Sequence, residues 1–304
     1  MISIPVGWSF LIHLIDIMRM PYPPVSTSSM MKVFIPPDSP FLTTDTRAKR
    51  WAIPYHPECV NGRIDILLDR NRNTLVGKTV LDIGSHIGTF AWAALQLGAK
   101  FVHGIDIEKR TIERCKELFQ AEGVSKENYK FEVKGVFEFL KGIKENSFDT
   151  VLCFGVLYYV TEPYHLLKLM ARAAKENLLI DTFTGAYSAV QGKDALTTHP
   201  HLTNEVLNLP IMVVTPTQTE KKDYRLPESF NRKGRNLSLT TLPTHALMEL
   251  WFESLGLTWE QLDWSKYIKR PCSFKDLLTP EQKLASHWAD VYSSGIRVSY
   301  KINI

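Results

Sequence analysis

The sequence predicts an α/β fold, a Rossmann-like parallel sheet covered by helices on both faces. Three observations predict it. Short apolar strands alternate with helices between about residues 78 and 183, a glycine turn joins the first strand to a helix, and an acid ends the second strand. Alternation of this kind is typical of β-α-β units, which form parallel sheets.

The first β-α-β unit contains the glycine turn. An apolar strand over residues 80–83 leads into the turn 84–88, and a helix rich in alanine follows over 89–97. The second strand, 101–107, places Asp106 at its carboxyl end. Ligands of α/β proteins bind at the carboxyl edge of the sheet, so the turn and the acid together predict a ligand site there.

The remaining elements continue the alternation. The pattern predicts helices over about 62–72, 108–123, 163–175 and 244–256, and strands over 129–135, 148–157, 177–183, 258–264 and 295–304. Residues 184–240 have little periodicity and many Gly, Pro, Thr and Asn residues, which predicts a cap inserted near the site.

Two regions divide the chain. Residues 1–74 are expected to form an N-terminal helical extension or lid, with an amphipathic helix over Trp8–Met18, a connector over 21–48 and the lead-in helix. Residues 75–304 are expected to form the main domain, with the cap at about 184–240.

Composition sets the broad class. The 304 residues are 44% hydrophobic and 22% charged, which is ordinary for a soluble globular protein, and a net charge of +4 is too mild to indicate nucleic-acid binding by itself. The N-terminus has no basic start and no clean apolar core, which argues against a signal peptide or a membrane span. We therefore expect a cytoplasmic protein. Its four cysteines are far apart, so we expect reduced thiols, and we expect no metal because no Cys/His/Asp cluster has ligand spacing.

The turn narrows the choice of ligand. A dinucleotide fingerprint needs glycines at 84, 86 and 89, but His86 and Thr89 occupy two of these positions, and a side chain at 86 obstructs a pyrophosphate. A P-loop is also excluded, because no Gly-Lys-Ser/Thr follows. A ligand without a pyrophosphate, but with ribose hydroxyls for Asp106, fits; S-adenosylmethionine has that structure. A structural tight turn remains the alternative interpretation.

The motifs "VLDIGSHIGTF", "GIDIE" and "SFDTVLCFGVLYYVTEPYHLLK", with the closing helix and hairpin, resemble a class I S-adenosylmethionine-dependent methyltransferase. The nearest pattern is the tRNA wobble-uridine carboxymethyltransferase-like group. The resemblance covers about residues 75–185 well and 240–304 weakly. It implies a seven-stranded sheet in which only the last strand is antiparallel.

The resemblance also implies roles for residues at the sheet edge. Asp106 would accept the ribose hydroxyls, and Ile107 would pack beside the adenine. Many family members have an acid after the third strand; here Gly135 and Val136 stand in its place, with the nearest acid at Glu138. The residues that would cradle the methionine half or flank the cofactor are Asp82, Gly84, Ser85, Gly88, Phe154 and Gly155.

Methyl transfer demands mainly positioning, because the sulfonium is already activated. An aromatic face such as that of Tyr158 or Tyr159 favours the cation, although both residues are equally explained as core aromatics. A hydroxyl or amine acceptor needs a base, whereas a thioether does not. The histidines placed to act as a base are His86, His165, His199 and His201, and a structural role is an alternative for each.

Three functions remain open. The first is methyl transfer to a small molecule; the second is RNA base modification; the third is cofactor binding without catalysis. The resembling tRNA enzymes hold a carboxylated cofactor with a Lys-Gly-Pro segment, but this chain has "IPYHPECVNGRID" there. Basic runs at 221–235 and 266–275 either bind phosphates or are solvated loops. The acceptor atom and the oligomeric state are not predicted.

Overall fold

The computed structural model describes residues 32–42, 56–191, 201–219 and 228–304. The main sheet has the order β3-β2-β1-β4-β5-β10-β9, and a small sheet has the order β6-β8-β7. The strands are β1 (Thr79–Ile83), β2 (Phe101–Asp106), β3 (Tyr129–Val133), β4 (Phe148–Phe154), β5 (Ala174–Phe183), β6 (Met212–Gln218), β7 (Phe230–Arg232), β8 (Arg235–Pro243), β9 (Thr258–Gln261) and β10 (Arg297–Asn303).

Helices cover the main sheet on both faces. They are α1 (Pro57–Arg63), α2 (Thr89–Gln96), α3 (Lys109–Ala121), α4 (Val136–Gly142), α5 (Pro163–Ala173), α6 (Tyr187–Val190), α7 (Asn204–Leu207), α8 (His245–Ser254), α9 (Pro280–Ala285) and α10 (Asp290–Ser293). One core cluster joins the sheet to α1, α2 and α3, and a second joins it to α4, α5 and α8.

The sheet topology confirms the predicted fold class. Strands β1 to β5 pair in parallel, whereas β10 is antiparallel to both β5 and β9. The other six strands therefore point in one direction, and their carboxyl ends form one edge. The crevice at β1 and β4 lies at this edge, where the strand order reverses.

Two helices differ from the prediction. The lead-in helix begins at Pro57 rather than near residue 62, and continues as a π-helical segment over Ile64–Asp69. Helix α4 lies where no helix was predicted; it has only seven residues and buries only Phe139 and Leu140, so its periodicity is weak.

The cap region contains a sheet rather than an irregular insertion. Strand β6 pairs over its full length with β8, and β7 closes a short hairpin with β8. Buried threonines make this sheet difficult to predict from the sequence. Thr215, Thr217 and Thr240 are buried and bond to one another through their hydroxyls, so one face is polar by composition yet packed inside.

Some predictions fall outside the described residues. The N-terminal helix over Trp8–Met18, most of the connector and His199 belong to this group. The domain division after residue 74 stays a prediction; Val33–Ile304 form one compact unit. Within the described ranges, no helix has both the length and the apolar character needed to span a membrane.

Candidate functional site

The glycine turn between β1 and α2 is fixed to the next strand by its backbone. The amides of Gly84 and Ser85 both donate to the carbonyl of Ile105, at 2.9 and 3.0 Å, and the Gly88 amide donates to the Ser85 carbonyl at 2.8 Å. Gly84 and Gly88 have φ values of 69° and 81°, which glycine adopts without strain. The local sequence therefore builds a rigid turn at the carboxyl edge.

Asp106 connects this turn to the end of β2. Its carboxylate accepts the backbone N–H of His86 at 3.0 Å and that of Glu108 at 2.9 Å. Burial raises the pKa of Asp106 above its ordinary value, and these two amides oppose the rise. Each carboxylate oxygen receives one of these bonds and keeps capacity for another, so Asp106 retains acceptors for a diol.

Two buried polar atoms near the turn have no partner among the described residues. The Oδ2 atom of Asp82 and the Oγ atom of Ser85 make no hydrogen bond within residues 32–42, 56–191, 201–219 and 228–304, although both residues are buried. Burial raises the pKa of Asp82 to about 7, and the charge of Asp106 adds to the rise. Buried polar groups without partners are uncommon in folded proteins, and they are expected to meet a polar ligand.

The polar groups at the turn match the chemical groups of S-adenosylmethionine. The molecule has a ribose diol and an amino-acid end, which match the free acceptor capacity of Asp106 and the unpartnered atoms of Asp82 and Ser85. Tight turns without a pyrophosphate-binding glycine also match a cofactor that lacks this group. The residues around the turn therefore suit S-adenosylmethionine as a ligand.

Gly84 and Gly88 each lie against other side chains of the protein. A Cβ at Gly84 would contact the side chain of Val156, and one at Gly88 would contact Cys115 and Phe119. Both glycines are thus required by packing within the protein itself.

The ends of β3 and β4 supply the other predicted cofactor residues. Gly135 precedes Val136 at the start of α4, beside Asp106, whose carbonyl accepts the Lys134 amide at 2.9 Å. Ile107 follows Asp106 directly. Glu138, the nearest acid, bonds to Lys134 at 2.6 Å and faces solvent. Backbone groups and Ile107 therefore form this side of the edge.

Phe154 and Gly155 lie at the end of β4. The ring of Phe154 packs edge-on against Phe90, with centroids 5.2 Å apart, and the Gly155 amide donates to the carbonyl of Asp181 at 2.8 Å. β4 thereby brings these two residues next to the end of β1, where the turn begins.

The two tyrosines after β4 belong to a buried aromatic group. Tyr158 and Tyr159 lie in a 3₁₀ turn, with their ring centroids 4.3 Å apart, and Tyr158 also packs on Phe183 at 5.0 Å. Burial raises the pKa of Tyr158. A Cβ on Gly155 would lie 3.5 Å from the Tyr158 hydroxyl, so this hydroxyl borders the edge of the site.

The histidines occupy different environments. Burial lowers the pKa of His86 to about 4, and the charge of Arg110 lowers it further. His165 stacks on Phe137, at a centroid distance of 5.6 Å, between the first turns of α5 and α4. His201 is exposed ahead of α7. Only His86 lies in the turn itself.

Sequence reasoning missed a buried charge cluster beside Gly155. The Asp181 carboxylate accepts the Nη2 group of Arg63 at 2.5 Å and the Nε group of Arg297 at 3.0 and 2.9 Å. Burial alone would raise the pKa of Asp181, but Arg297 and Arg63 hold it below its ordinary value. The available signal was an acid within the apolar strand "NLLIDTF" and an arginine in "GIRVSY".

A cavity of about 250 Å³ lies at the same edge, beyond β5 and β10. The residues that line it follow β5, begin α8 and β10, and belong to α7 and the C-terminal segment. They are Thr184, Gly185, Ala186, Asn204, Leu207, Asn208, Thr244, His245, Gln261, Phe274, Tyr292, Ser294, Gly295, Arg297 and Val298. Arg297 and Tyr292 also contact Asp181, so the cavity adjoins the charge cluster.

The chain is similar to known methyltransferases over the region that contains the turn and strands β1 to β5. Residues 75–231, more than half of the chain, match a family model described as a methyltransferase domain. Over 125 residues the chain is 30% identical to the tRNA U34 carboxymethyltransferase of Helicobacter pylori strain G27, a match that covers 38% of this chain and 46% of that protein. Over 76 residues it is 38% identical to the ribosomal protein L11 methyltransferase of Aquifex aeolicus, covering 25% and 28%. The chain thus spans less than half the length of these curated relatives.

A solved structure shares the fold. A crystal structure from Listeria monocytogenes, assigned as an S-adenosylmethionine-dependent methyltransferase, aligns with a TM-score of 0.51 and 15% identity. The alignment covers 79% of this chain and 95% of that chain. At this identity the likeness establishes the fold alone.

Proposed function

This chain belongs to the class I S-adenosylmethionine-dependent methyltransferases, and on that premise we propose that its methyl acceptor is a small molecule. The observation that carries the proposal is the cavity of about 250 Å³ at the carboxyl edge of β5 and β10. A cavity of this size has the volume of about eight water molecules. It suits a small metabolite, and pockets at this edge are the usual ligand sites of α/β sheets.

The residues of the turn would bind and orient the cofactor. We assign the ribose hydroxyls to Asp106, and the amino-acid end to Asp82 and Ser85, whose Oδ2 and Oγ atoms have no partner in the part of the chain that the structure describes. Gly155 and the hydroxyl of Tyr158 would border the reacting end. S-adenosylmethionine supplies, when bound, a methyl group on a cationic sulfonium.

The choice of methyl acceptor depends on whether a histidine at the site can remove a proton from it. With a pKa of about 4, His86 is a weak base and stays neutral near pH 7. The ring of His165 is stacked on Phe137. We therefore assign no general base to either histidine. Positioning of the acceptor carries the catalysis, and a nucleophile that needs no deprotonation suits this site best.

A second candidate function is modification of tRNA, which the similarity to tRNA U34 carboxymethyltransferase favours. The described basic residues support it weakly. Lys266 bonds to Asp65 at 2.6 Å, and Arg232, Lys233 and Arg235 lie on a short exposed hairpin. A surface that follows RNA combines a continuous basic groove with aromatic platforms.

The test uses S-adenosylmethionine with a labelled methyl group. The full chain is incubated with an ultrafiltered metabolite extract or with bulk tRNA, and the label is followed into each fraction. We expect label in small molecules, with a rate that changes little between about 50 and 200 mM salt, because few phosphates are bound. Label in tRNA, or in neither fraction, would contradict the proposal.

A triple variant separates the two candidates further. Neutralising Arg232, Lys233 and Arg235 together should leave transfer to small molecules unchanged, and binding of bulk tRNA no weaker than in the parent. If the parent binds tRNA tightly with a steep salt dependence, and the triple variant loses that binding, tRNA is the substrate.

A further inference from the structure

The charge cluster at Asp181 has one more positive than negative group. Two guanidinium groups, those of Arg63 and Arg297, bond the single carboxylate of Asp181, and these three residues are 4%, 9% and 0% exposed. Ser299 adds a further hydrogen bond to the carboxylate at 2.9 Å. The oxygens of Asp181 are therefore fully engaged within the protein, and among the described residues one buried positive charge has no counter-charge in this cluster.

The two arginines keep donors that nothing in the described ranges accepts. The Nη1 groups of Arg63 and Arg297 make no hydrogen bond to a described residue, and the Nε group of Arg63 is buried without a partner. Phe90 and Phe183 lie over the guanidinium groups at 4.8 and 4.6 Å. Aromatic faces stabilise a cation, but they do not satisfy N–H groups in the guanidinium plane.

Arg297 also lines the cavity, together with polar side chains that have spare hydrogen-bonding groups. Within the described chain, the amides of Asn204, Asn208 and Gln261 make no side-chain hydrogen bond. The Nδ1 atom of His245 contacts the hydroxyl of Tyr300. The Nε2 atom of His245 lies 3.4 Å from the carboxylate of Glu249, so both ring nitrogens of His245 have partners within the protein. The amide side chains can donate or accept hydrogen bonds, and Arg297 adds a positively charged donor to this cavity.

From these observations we propose that the cavity is the acceptor pocket and that it takes a small organic acid, whose oxyanion pairs with Arg297. The inference rests on the proposed function and names its substrate class. The guanidinium of Arg297 lies beside Gly155, because a Cβ built on Gly155 would be 3.5 Å from the Nη2 atom of Arg297. A small acid anchored at Arg297 therefore reaches Gly155, where the cofactor site ends.

The test uses the labelled product of the parent enzyme. We expect the product to be retained on an anion exchanger at neutral pH. The oxyanion could be a carboxylate or a phosphate ester, and treatment with phosphatase distinguishes them. Phosphatase removes the phosphate group, so a phosphate ester is no longer retained on the exchanger, whereas a carboxylate product is still retained. A labelled small product that is neutral or cationic would overturn the inference while leaving the proposed function intact. Label in tRNA would instead remove the proposed function.

A pair of neighbouring variants tests the location. Asn208 is an exposed residue that lines the cavity, whereas Leu209 is 52% exposed and does not line it. We expect N208W to raise the KM for the acceptor by about tenfold or more, with kcat and the Kd of S-adenosylmethionine unchanged, and L209W to behave as the parent.

Direct binding supplies a readout besides turnover. The purified product should bind the cofactor-free parent and L209W in calorimetry, and bind N208W about tenfold more weakly. Equal KM and equal product affinity in N208W and the parent would place the acceptor outside this cavity and overturn the inference.

Discussion

The carboxylate of Asp106 accepts a hydrogen bond from the backbone amide of His86 at 3.0 Å, across 20 residues of sequence. The acid at the end of β2 therefore fixes the turn after β1, besides facing the site at the carboxyl edge. His86 has a φ of 50°, a conformation that a non-glycine residue adopts only when its surroundings hold it there. This hydrogen bond couples the end of β2 to the turn after β1.

Replacing Asp106 tests both roles. Asp106→Ala should weaken S-adenosylmethionine binding by roughly 1.5–3 kcal/mol, the range for hydrogen bonds to a charged group. Asp106→Asn keeps one acceptor oxygen and should lose less. Calorimetry measures the affinity, and circular dichroism checks that each variant is folded. An unchanged affinity in folded Asp106→Ala would remove the assignment to the ribose.

The raised pKa of Asp82 predicts pH-dependent cofactor binding. With a pKa of about 7, Asp82 gains its negative charge as the pH rises from 6 to 8. A cationic ligand prefers the charged form, so the affinity for S-adenosylmethionine should rise across this window. Calorimetry on Asp82→Asn, which does not titrate, should give a weaker and flatter profile. Identical profiles in the two proteins would exclude Asp82 from the site.

The raised pKa of Asp82 has the opposite effect on the stability of the cofactor-free protein, which should fall as the pH rises. Between an unfolded pKa of about 3.9 and the folded value, the folded state keeps a proton that the unfolded state releases. Stability from this group is thus present at low pH and lost as the pH rises through about 7. In urea unfolding, the free energy of unfolding of Asp82→Asn should increase relative to that of the parent over this pH range.

The fold was largely predictable from sequence because its signals are local. Apolar runs, glycine turns and the amphipathic spacing of residues such as Ile112 and Leu118 each occupy a few neighbouring positions. The small sheet was missed because Thr215 and Thr240 satisfy each other across two strands, and this pairing becomes visible only after the strands meet. Composition alone suggested a loop.

The candidate site likewise contains residues that local sequence signals predict and residues that they do not predict. Asp82, Gly84 and Asp106 lie in one β-α-β unit, so their spacing was enough to predict them as candidate site residues. The bonds of Asp181 to Arg63 and Arg297 join residues 118 and 116 positions apart, and no local pattern pairs them. A charged residue within an apolar strand is a usable signal for such clusters, but it does not identify the partner.

The packing of Gly88 predicts a loss of stability on substitution. A Cβ there would contact Cys115 and would lie 2.8 Å from the Phe119 ring, at a φ of 81°. Gly88→Ala should therefore cost roughly 1–3 kcal/mol of unfolding free energy. Gly142→Ala is the control, because its Cβ meets nothing within 4 Å and its φ is not positive. Equal stability of the two variants in urea would contradict this account of the turn.

The charge count at Asp181 predicts an order of stability among three variants. Arg63→Met removes the surplus cation and an unpartnered Nε group, and leaves Asp181 paired with Arg297. Arg297→Met removes more hydrogen bonds from the carboxylate, so it should cost more. Asp181→Asn leaves two buried guanidinium groups without an anion and should cost most, roughly 3–5 kcal/mol.

Urea unfolding at neutral pH measures this order, and acid titration supplies an independent check. Because the arginines hold the pKa of Asp181 below its ordinary value, its stabilising effect is present above the unfolded pKa and is lost as the pH falls through the folded pKa. The parent should therefore lose its advantage over Asp181→Asn in acid. If Arg63→Met destabilises the protein as much as Asp181→Asn does, the buried charge is balanced by another group, and the case for an anionic ligand beside Arg297 fails with it.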